Sequence, residues 1–295
     1  MNQFAAAFLL IGFVSVNAQI DKRNVLQYLE DGNFTTLVNL VKRVGLAAPL
    51  STGIVVCINP YYIFAPTDEA FNKLPVDVLL KLRADPSSVL GFLQFHVVGG
   101  IAINNMFTNG STFDTLNNKT IHIIKYKNNA TVANGVPISQ NEVIVRNGVI
   151  HKVDRVLLPL EKSISEYLGE HDIQFQDLYA ALVLEGYEKA LEGGNFTLFA
   201  PEDHAFSSII AALPTITADD NLFKKILAMH VVPGVYFSAA LTDGMKLTTL
   251  AGNQLTVSIN SKVFIDGAQV IVTDVATTNG AIHTITSVIT PPSST

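Results

Sequence analysis

The stretch IFAPTDEAF, residues 63–71, occurs a second time as LFAPEDHAF, residues 198–206, after a shift of 135 residues. Two further blocks return in the same order at nearly the same shift, HVV (96–98 and 230–232) and NGVIH, which becomes NGAIH (147–151 and 279–283). Solenoid repeats are shorter, at about 20–45 residues, so a period this long indicates two self-contained domains. The sequence therefore predicts a tandem duplication of one domain.

Each copy begins with a helical pattern. In the first copy, apolar residues recur at three- and four-residue spacing over residues 25–44. A short apolar strand follows and ends at Ala65-Pro66. The next helix is expected to start near Thr67 or Asp68, because either side chain can accept hydrogen bonds from the free N–H groups of a first helical turn.

The last third of each copy is rich in β-branched residues that partly alternate with polar ones. Asn134-Gly135 and Asp266-Gly267 lie between such runs and predict tight hairpin turns, since these residue types tolerate positive φ. Helices followed by an antiparallel sheet are typical of an α+β domain. We therefore expect an α+β fold in both copies.

The composition narrows the functional class. Of the 295 residues, 48% are hydrophobic and 15% are charged, which predicts packed cores rather than a disordered chain. The net charge is −6, so the chain lacks the basic surplus expected of a nucleic-acid-binding protein. Cys57 is the single cysteine, so no disulfide forms within the chain. We expect Cys57 either to be buried or to bridge two chains.

The first residues have the pattern of a secretion signal. An uncharged apolar run from Phe4 to Val16 is too short to span a membrane, and it leads into short residues that end at Ala18. This pattern predicts a signal peptide over residues 1–18 and an extracellular location for the remainder. No later apolar run reaches the about 20 residues of a transmembrane span.

Glycosylation motifs agree with this location. A single Asn-x-Ser/Thr motif arises easily by chance, whereas five in one chain with a signal peptide indicate a secreted glycoprotein. The five motifs begin at Asn33, Asn109, Asn118, Asn129 and Asn195.

The repeated blocks resemble the fasciclin (FAS1) family. Three motifs carry the resemblance in both copies: FAPTDEAF with FAPEDHAF, LQFHVVG (93–99) with LAMHVVPG (227–234), and residues 147–159 with 279–291. The resemblance predicts FAS1 domains at residues 21–160 and 162–292. It implies a wedge-like β-sandwich with helices packed on its side, in agreement with the order of helices and strands in each copy.

The resemblance also implies a function. Members of the family are mostly adhesion and matrix proteins, and several bind integrins. We therefore expect a glycoprotein of the extracellular matrix or cell surface whose partner is an integrin-like receptor or a matrix protein. We expect no enzymatic activity and no cofactor or metal, because the sequence lacks motifs such as Gly-x-Ser-x-Gly or a glycine-rich phosphate loop.

The pair Asp274-Val275 is the adhesion candidate that the resemblance favours. In related matrix proteins an Asp-Ile pair five residues before the Asn of the Asn-Gly motif is tied to integrin binding, and Asp274 stands five residues before Asn279. An exposed carboxylate suits such a receptor because it can complete the coordination of a divalent cation. Glu142-Val143 occupies this place in the first copy. The alternative is that Asp274 caps a local turn.

Histidines form the second group of candidates. His230 matches a family position that is linked to integrin contact, although Met229 precedes it where the family often has Tyr. The same position in the first copy is His96. His151 and His283 are expected to hydrogen-bond to loop backbone rather than to bind a metal, since no metal-ligand spacing surrounds them.

The repeated acidic residues Asp68 and Asp203 are expected to cap helices. The alternative, a pair of catalytic carboxylates, is disfavoured because the two residues stand at equivalent positions of separate domains. We therefore interpret both as structural parts of the repeated FAP block, residues 63–71 and 198–206.

Two other functions are compatible with the sequence. The first is a carrier of a hydrophobic small ligand such as a carotenoid, which would lie in an apolar groove between helices and sheet. The second is a secreted structural or defensive component without a defined receptor. The tandem arrangement favours adhesion, because two weak sites on one chain gain avidity and a simple carrier does not need them.

Overall fold

The structure is a computed structural model that describes residues 21–52, 61–74, 76–99, 107–139, 142–170, 172–210 and 220–291. The chain divides into two compact units, residues 1–159 and 160–295, which we call the first and the second module. The signal peptide expected at residues 1–18 and the cysteine Cys57 both lie outside the described residues.

Helices open each module. In the first module they are α1 (Val25–Glu30), α2 (Thr35–Arg43), α3 (Ala47–Thr52), α4 (Asp68–Asn72), α5 (Val76–Ala84) and α6 (Pro86–Phe95). In the second module they are α7 (Ile164–Glu170), α8 (Asp172–Leu184), α9 (Tyr187–Glu192), α10 (Asp203–Ile210) and α11 (Asp220–Met229). The helical pattern predicted for residues 25–44 and the helix start predicted near residue 68 are confirmed.

The strands of the first module are β1 (Tyr61–Pro66), β2 (Val97–Gly99), β3 (Thr112–Asp114), β4 (Thr120–Lys125), β5 (Thr131–Ala133), β6 (Val136–Pro137), β7 (Val143–Val145) and β8 (Gly148–Val153). They form sheets in the orders β2-β1-β8-β7 and β3-β4-β5-β6. Most neighbours are antiparallel, but β1 pairs with β8 in parallel.

The strands of the second module are β9 (Phe196–Pro201), β10 (Val231–Pro233), β11 (Lys246–Thr248), β12 (Gln254–Ile259), β13 (Val263–Ile265), β14 (Ala268–Thr277) and β15 (Gly280–Ile285). They follow one another in the order β10-β9-β15-β14-β13-β12-β11, with β9 and β15 parallel. The ten-residue strand β14 corresponds in sequence to residues 136–145, where the first module has the separate strands β6 and β7.

The strand of the FAP block supplies residues to two cores in each module. Successive side chains of a strand point to opposite faces of the sheet. Ile63 of β1 therefore packs against the helices, and Phe64 belongs to the core that residues of strands β3 to β8 form on the other face. Leu198 and Phe199 of β9 divide in the same way in the second module. This burial on both faces explains why the block is a nearly continuous apolar run.

The predicted hairpin turns are also present. Asn134 and Gly135 have φ of 45° and 79° between β5 and β6, and Asp266 and Gly267 have φ of 49° and 88° between β13 and β14. The order of helices and antiparallel strands in each module confirms the predicted α+β class.

Candidate functional site

Asp274 lies in an irregular part of β14. The pairing of β14 with β15 shifts register between Val270 and Val275, and Asp274 itself has a positive φ of 64°. A non-glycine residue rarely adopts this conformation, so the surrounding contacts must hold it there. The bulge turns the Asp274 side chain towards a neighbouring loop rather than along the strand.

The Asp274 carboxylate is engaged inside its own module. One oxygen accepts a hydrogen bond from the Ser238 backbone N–H and the other accepts one from the Ser238 hydroxyl, both at 2.5 Å. Ser238 begins the 3₁₀ turn Ser238–Ala240. The observed geometry is therefore that of a turn cap, the alternative considered for Asp274 from the sequence. A receptor cation would have to compete with these two hydrogen bonds.

The apolar partners of the two adhesion pairs point inwards. Val275 is partly buried and packs against the helical core of the second module, and Val143 packs against the corresponding core of the first. Both side chains therefore stabilise the fold, and their part in a receptor contact stays a prediction.

Glu142 takes the place of Asp274 in the first module. Its side chain is only 14% exposed, and its Oε2 atom lies 3.7 Å from Nε2 of the buried His151. Burial lowers the pKa of His151 to about 4, with the Ser139 backbone acting in the opposite direction. His151 is therefore neutral at physiological pH, and the adhesion role of Glu142 stays a prediction.

His283 holds the same strand position in the second module. Its Nε2 atom lies 2.8 Å from the Tyr236 carbonyl, and its Nδ1 atom accepts a hydrogen bond from the Asp274 backbone N–H at 3.4 Å. The side chain is fully buried. His283 thus joins the bulge of β14 to the loop that leads to Ser238.

His230 lies inside the fold rather than on its surface. The residue is 1% exposed, its Nδ1–H donates to the Ile226 carbonyl at 2.7 Å, and its Nε2 accepts from the Ile289 backbone N–H at 2.9 Å. Burial lowers its pKa to about 4 despite the backbone hydrogen bond to Ile226. The ring of His230 is therefore engaged inside its own module, and a contact between His230 and a receptor stays a prediction.

His96 repeats this arrangement in the first module. It is 1% exposed, its Nδ1–H donates to the Phe92 carbonyl at 2.9 Å, and its Nε2 accepts from the Leu157 backbone N–H at 3.1 Å. Burial also lowers its pKa to about 4. Both histidines therefore tie the end of a helix to the last segment of their module.

Asp68 caps a helix other than its own. Thr67 caps α4 through a hydrogen bond from the Ala70 N–H, whereas the Asp68 carboxylate accepts from the backbone N–H groups of Thr35 and Thr36 at 3.0 and 2.7 Å, at the start of α2. Burial opposes ionisation, but the bonds from Thr36 and Thr35 outweigh it and lower the pKa of Asp68. The sequence offered Thr67 or Asp68 as the cap of α4: Thr67 takes that role, and Asp68 caps α2 instead.

Asp203 has the same role in the second module. Its carboxylate accepts from the backbone N–H groups of Gln176 and Asp177 at 3.1 and 3.0 Å. These groups follow a kink at Phe175, where the backbone of α8 leaves helical geometry. In both modules the acidic residue of the FAP block thus holds an earlier helix against the central strand, which is β1 in the first module and β9 in the second.

The asparagine of the Asn-Gly motif has a role that sequence reasoning missed. Asn147 accepts a hydrogen bond from the Val25 N–H at 2.8 Å and donates one to the Leu50 carbonyl at 3.0 Å. In the second module, Asn279 accepts from the Ile164 N–H at 2.9 Å and donates to the carbonyl of a residue in α9 at 2.8 Å. The recurrence of Asn-Gly in both copies was the available signal.

Within the described residues, no group of three or more His, Cys, Asp or Glu side chains is arranged to hold a metal ion. Over the same ranges, no helix is both long enough and apolar enough to cross a membrane. Asp68 and Asp203 lie in separate modules, each engaged with its own helix.

Comparisons with known proteins cover both modules. The fasciclin domain family model matches residues 32–159 and 173–291. The chain is 33% identical to human periostin over 235 residues, which cover 78% of this chain and 27% of periostin. It is 30% identical to the transforming growth factor-beta-induced protein ig-h3 of Sus scrofa over 239 residues, which cover 79% of this chain and 35% of that protein.

A solved structure of a FAS1 domain pair from the insect cell adhesion molecule fasciclin I is 18% identical, with a TM-score of 0.41, over 89% of this chain and 98% of that one. The chain spans only about a third of the length of periostin and ig-h3. Because the family model matches most of the sequence in two segments, the chain belongs to the fasciclin domain family.

Proposed function

We propose that the chain is a secreted adhesion glycoprotein of the extracellular matrix or cell surface. Its FAS1 modules bind an integrin-like receptor or a matrix protein, and it catalyses no reaction. The observation that carries this proposal is the similarity to periostin, which at 235 residues extends over both modules. The tandem arrangement supports it, because two weak sites on one chain gain avidity when both engage.

Exposure of the glycosylation motifs supports the secretory route. All five asparagines are exposed: Asn33, Asn109, Asn118, Asn129 and Asn195. Asn118 and Asn129 occupy turns on either side of β4, with φ of 59° and 65°. An oligosaccharide at these positions would extend into solvent without disturbing a core. Mass spectrometry of the secreted chain before and after glycosidase treatment tests this part of the proposal.

The contact surface that we propose is the outer side of the β14 bulge. Ile271 and Val272 are 41% and 42% exposed and lie just before Asp274 in the chain, separated from it by Thr273. Exposed apolar side chains beside a carboxylate form a surface that combines apolar burial with charge recognition. The first module has Ser139 and Gln140 at the corresponding sequence positions, so this surface is specific to the second module.

Cell adhesion to immobilised protein tests this surface. The double variant Ile271→Thr with Val272→Thr keeps β-branched residues in the strand but removes apolar surface, and we expect adhesion to fall at least fivefold. Leu184→Gln, at a residue that is 79% exposed at the end of α8, is the matched control and should leave adhesion unchanged. Equal adhesion of all three proteins, with unchanged thermal unfolding, would exclude the bulge as the contact.

The role of Asp274 needs a separate test, because its carboxylate already caps a turn. If Asp274 is the receptor ligand, Asp274→Asn abolishes adhesion that depends on divalent cations. Ser238→Ala, which removes one competing hydrogen bond, then maintains or raises that adhesion. If Asp274 is only a turn cap, both variants lower the thermal midpoint and cation-dependent adhesion persists, which would remove Asp274 from the binding account.

The carrier function considered from the sequence requires a cavity large enough for the ligand. The first module contains an apolar cavity of about 130 Å³ between its helices and β1. A cavity of roughly 150 Å³ holds a benzene molecule, and a carotenoid is several times larger. This cavity therefore does not enclose a carotenoid, and adhesion is the better-supported function.

A further inference from the structure

We infer that the first module binds a small, neutral, apolar ligand, the size of one aromatic ring or a short alkyl chain, in the cavity between α1, α2, β1 and the end of α6. Four wall residues, Leu37, Val41, Ile63 and Leu93, are at most 4% exposed. Leu116 also borders the cavity and is 45% exposed, so it lies at the opening. This binding goes beyond the adhesion function and does not depend on it.

The chemistry of the wall selects against polar ligands. Most lining residues are aliphatic or aromatic; the polar ones are Gln94 and His96, and His96 already uses both ring nitrogens in hydrogen bonds to backbone groups. A charged or strongly polar ligand would lose its hydration here without gaining replacement hydrogen bonds. Cavities lined by such residues stay dry and take up apolar molecules instead.

The volume fixes the size of the ligand. At about 130 Å³ the cavity is slightly smaller than one that binds benzene at roughly 150 Å³, and the partly exposed rim gives a ligand some additional room. A single six-membered ring or a chain of a few methylene groups therefore fits. Fused ring systems and complete lipid chains do not.

The second module packs the corresponding positions more completely. Leu50 and Val97 of the first module line the cavity and are only partly buried, whereas Leu191 and Val231 at the matching sequence positions are 0% exposed. The smaller Val41 of the first module also corresponds to the larger Leu182 of the second. The difference between the modules indicates that the cavity is a local feature rather than a general property of the fold.

Titration of the full chain with benzene tests the inference. We expect saturable changes in the NMR signals of the methyl groups of Leu37, Val41, Ile63 and Leu93. Since a ligand that binds only the native state stabilises it, a tenfold excess over Kd should raise the unfolding midpoint of the first module by about 5 °C. Phenol, which has the same ring but a hydroxyl group, should bind more weakly by at least tenfold.

Two variants that reduce the cavity provide the controls. Val41→Phe should abolish the benzene response. The milder Val41→Leu, which introduces the residue found in the second module, should weaken the response and serves as the test if Val41→Phe does not fold. Leu184→Gln should leave the response intact. Decanoate that displaces benzene would identify the end of an acyl chain as the source of the ligand, and failure to displace it would favour a free aromatic ring. Absence of saturation, or full binding to a folded Val41 variant, would overturn the inference.

Discussion

At the scale of single residues, the side-chain amides of Asn147 and Asn279 each connect two segments of their own module. Each accepts a hydrogen bond from the first N–H of the opening helix and donates one to the carbonyl of a residue in or beside the third helix of the same module. The first N–H groups of a helix have no partner within the helix, so this bond satisfies a group that would otherwise be buried without one.

Replacing either asparagine with aspartate tests the importance of the donated hydrogen bond. Asp keeps the acceptor for the helix N–H but replaces the donor with an oxygen that faces a carbonyl. We expect Asn147→Asp and Asn279→Asp each to lower the free energy of unfolding by about 1–3 kcal/mol in urea titrations. Asn260→Asp is the control, because the side-chain oxygen of Asn260 accepts a hydrogen bond from the Lys262 N–H and Asp preserves this bond. Equal effects of all three changes would contradict this role.

The buried histidines make stability depend on pH. Burial lowers the pKa of His96, His151 and His230 to about 4, whereas an unfolded histidine titrates near 6.5. Between these values the unfolded chain binds more protons, so stability is complete above about pH 7 and falls as the pH decreases. Each histidine should remove about 2 kcal/mol of stability between pH 7 and pH 5.

Urea titrations at pH 7, 6 and 5 check this dependence. His230→Gln is expected to lose part of the pH slope although it lowers stability at pH 7. The exposed His204 provides the control, since His204→Gln should keep the slope of the original protein. A pH slope that is unchanged in His230→Gln would contradict the contribution assigned to His230.

At the scale of elements, the parallel pairing of β1 with β8 and of β9 with β15 depends on two glycines. A Cβ atom at Gly148 would lie 2.6 Å from the Tyr61 carbonyl oxygen, and one at Gly280 would lie 2.0 Å from the Phe196 carbonyl oxygen. Both clashes involve backbone atoms of the central strand, which has no room to move because it is buried on both faces. The glycine of the Asn-Gly motif is therefore required by close packing of strands.

Alanine at either glycine should separate the two strands. We expect Gly148→Ala and Gly280→Ala to destabilise their modules by at least about 1–3 kcal/mol, the usual cost of overpacking a core. Gly91→Ala is the matched control, because nothing lies within 4 Å of its Cβ position in α6 and alanine favours a helix by up to about 1 kcal/mol. Thermal unfolding that moves in the same direction for all three variants would contradict this explanation.

At the scale of the whole molecule, each module contains its own cores. The buried clusters around Ile63 and Phe64 consist of residues of the first module, and those around Leu198 and Phe199 consist of residues of the second. With separate cores, each module has the contacts it needs to unfold as a unit of its own.

Calorimetry should therefore resolve two unfolding transitions. Gly280→Ala is expected to lower the transition of the second module by several degrees and to leave that of the first within about 1 °C, because the atoms that an added Cβ would meet, in Phe196 and Ile164, belong to the second module. Gly148→Ala should produce the reverse pattern. A single transition that shifts as a whole in both variants would show that the modules unfold together.

The sequence alone determined the duplication, the α+β class, the hairpin turns at Asn134 and Asp266 and the resemblance to the fasciclin family. These features follow from local signals: the periodicity of apolar residues, the tolerance of particular residues for positive φ, and the recurrence of short blocks at a constant shift. They need no knowledge of how distant segments meet.

Only the tertiary structure decided what the candidate side chains do. Asp68 caps a helix that starts 33 residues earlier, Asp274 binds Ser238 across 36 residues, and His230 is enclosed by a segment 59 residues away. The residue type determines which hydrogen bonds a side chain can make. The partner and the burial of that side chain depend on the packing of elements that are remote in sequence. For the same reason, the sequence did not predict the cavity of the first module, which forms only where the helices pack against β1.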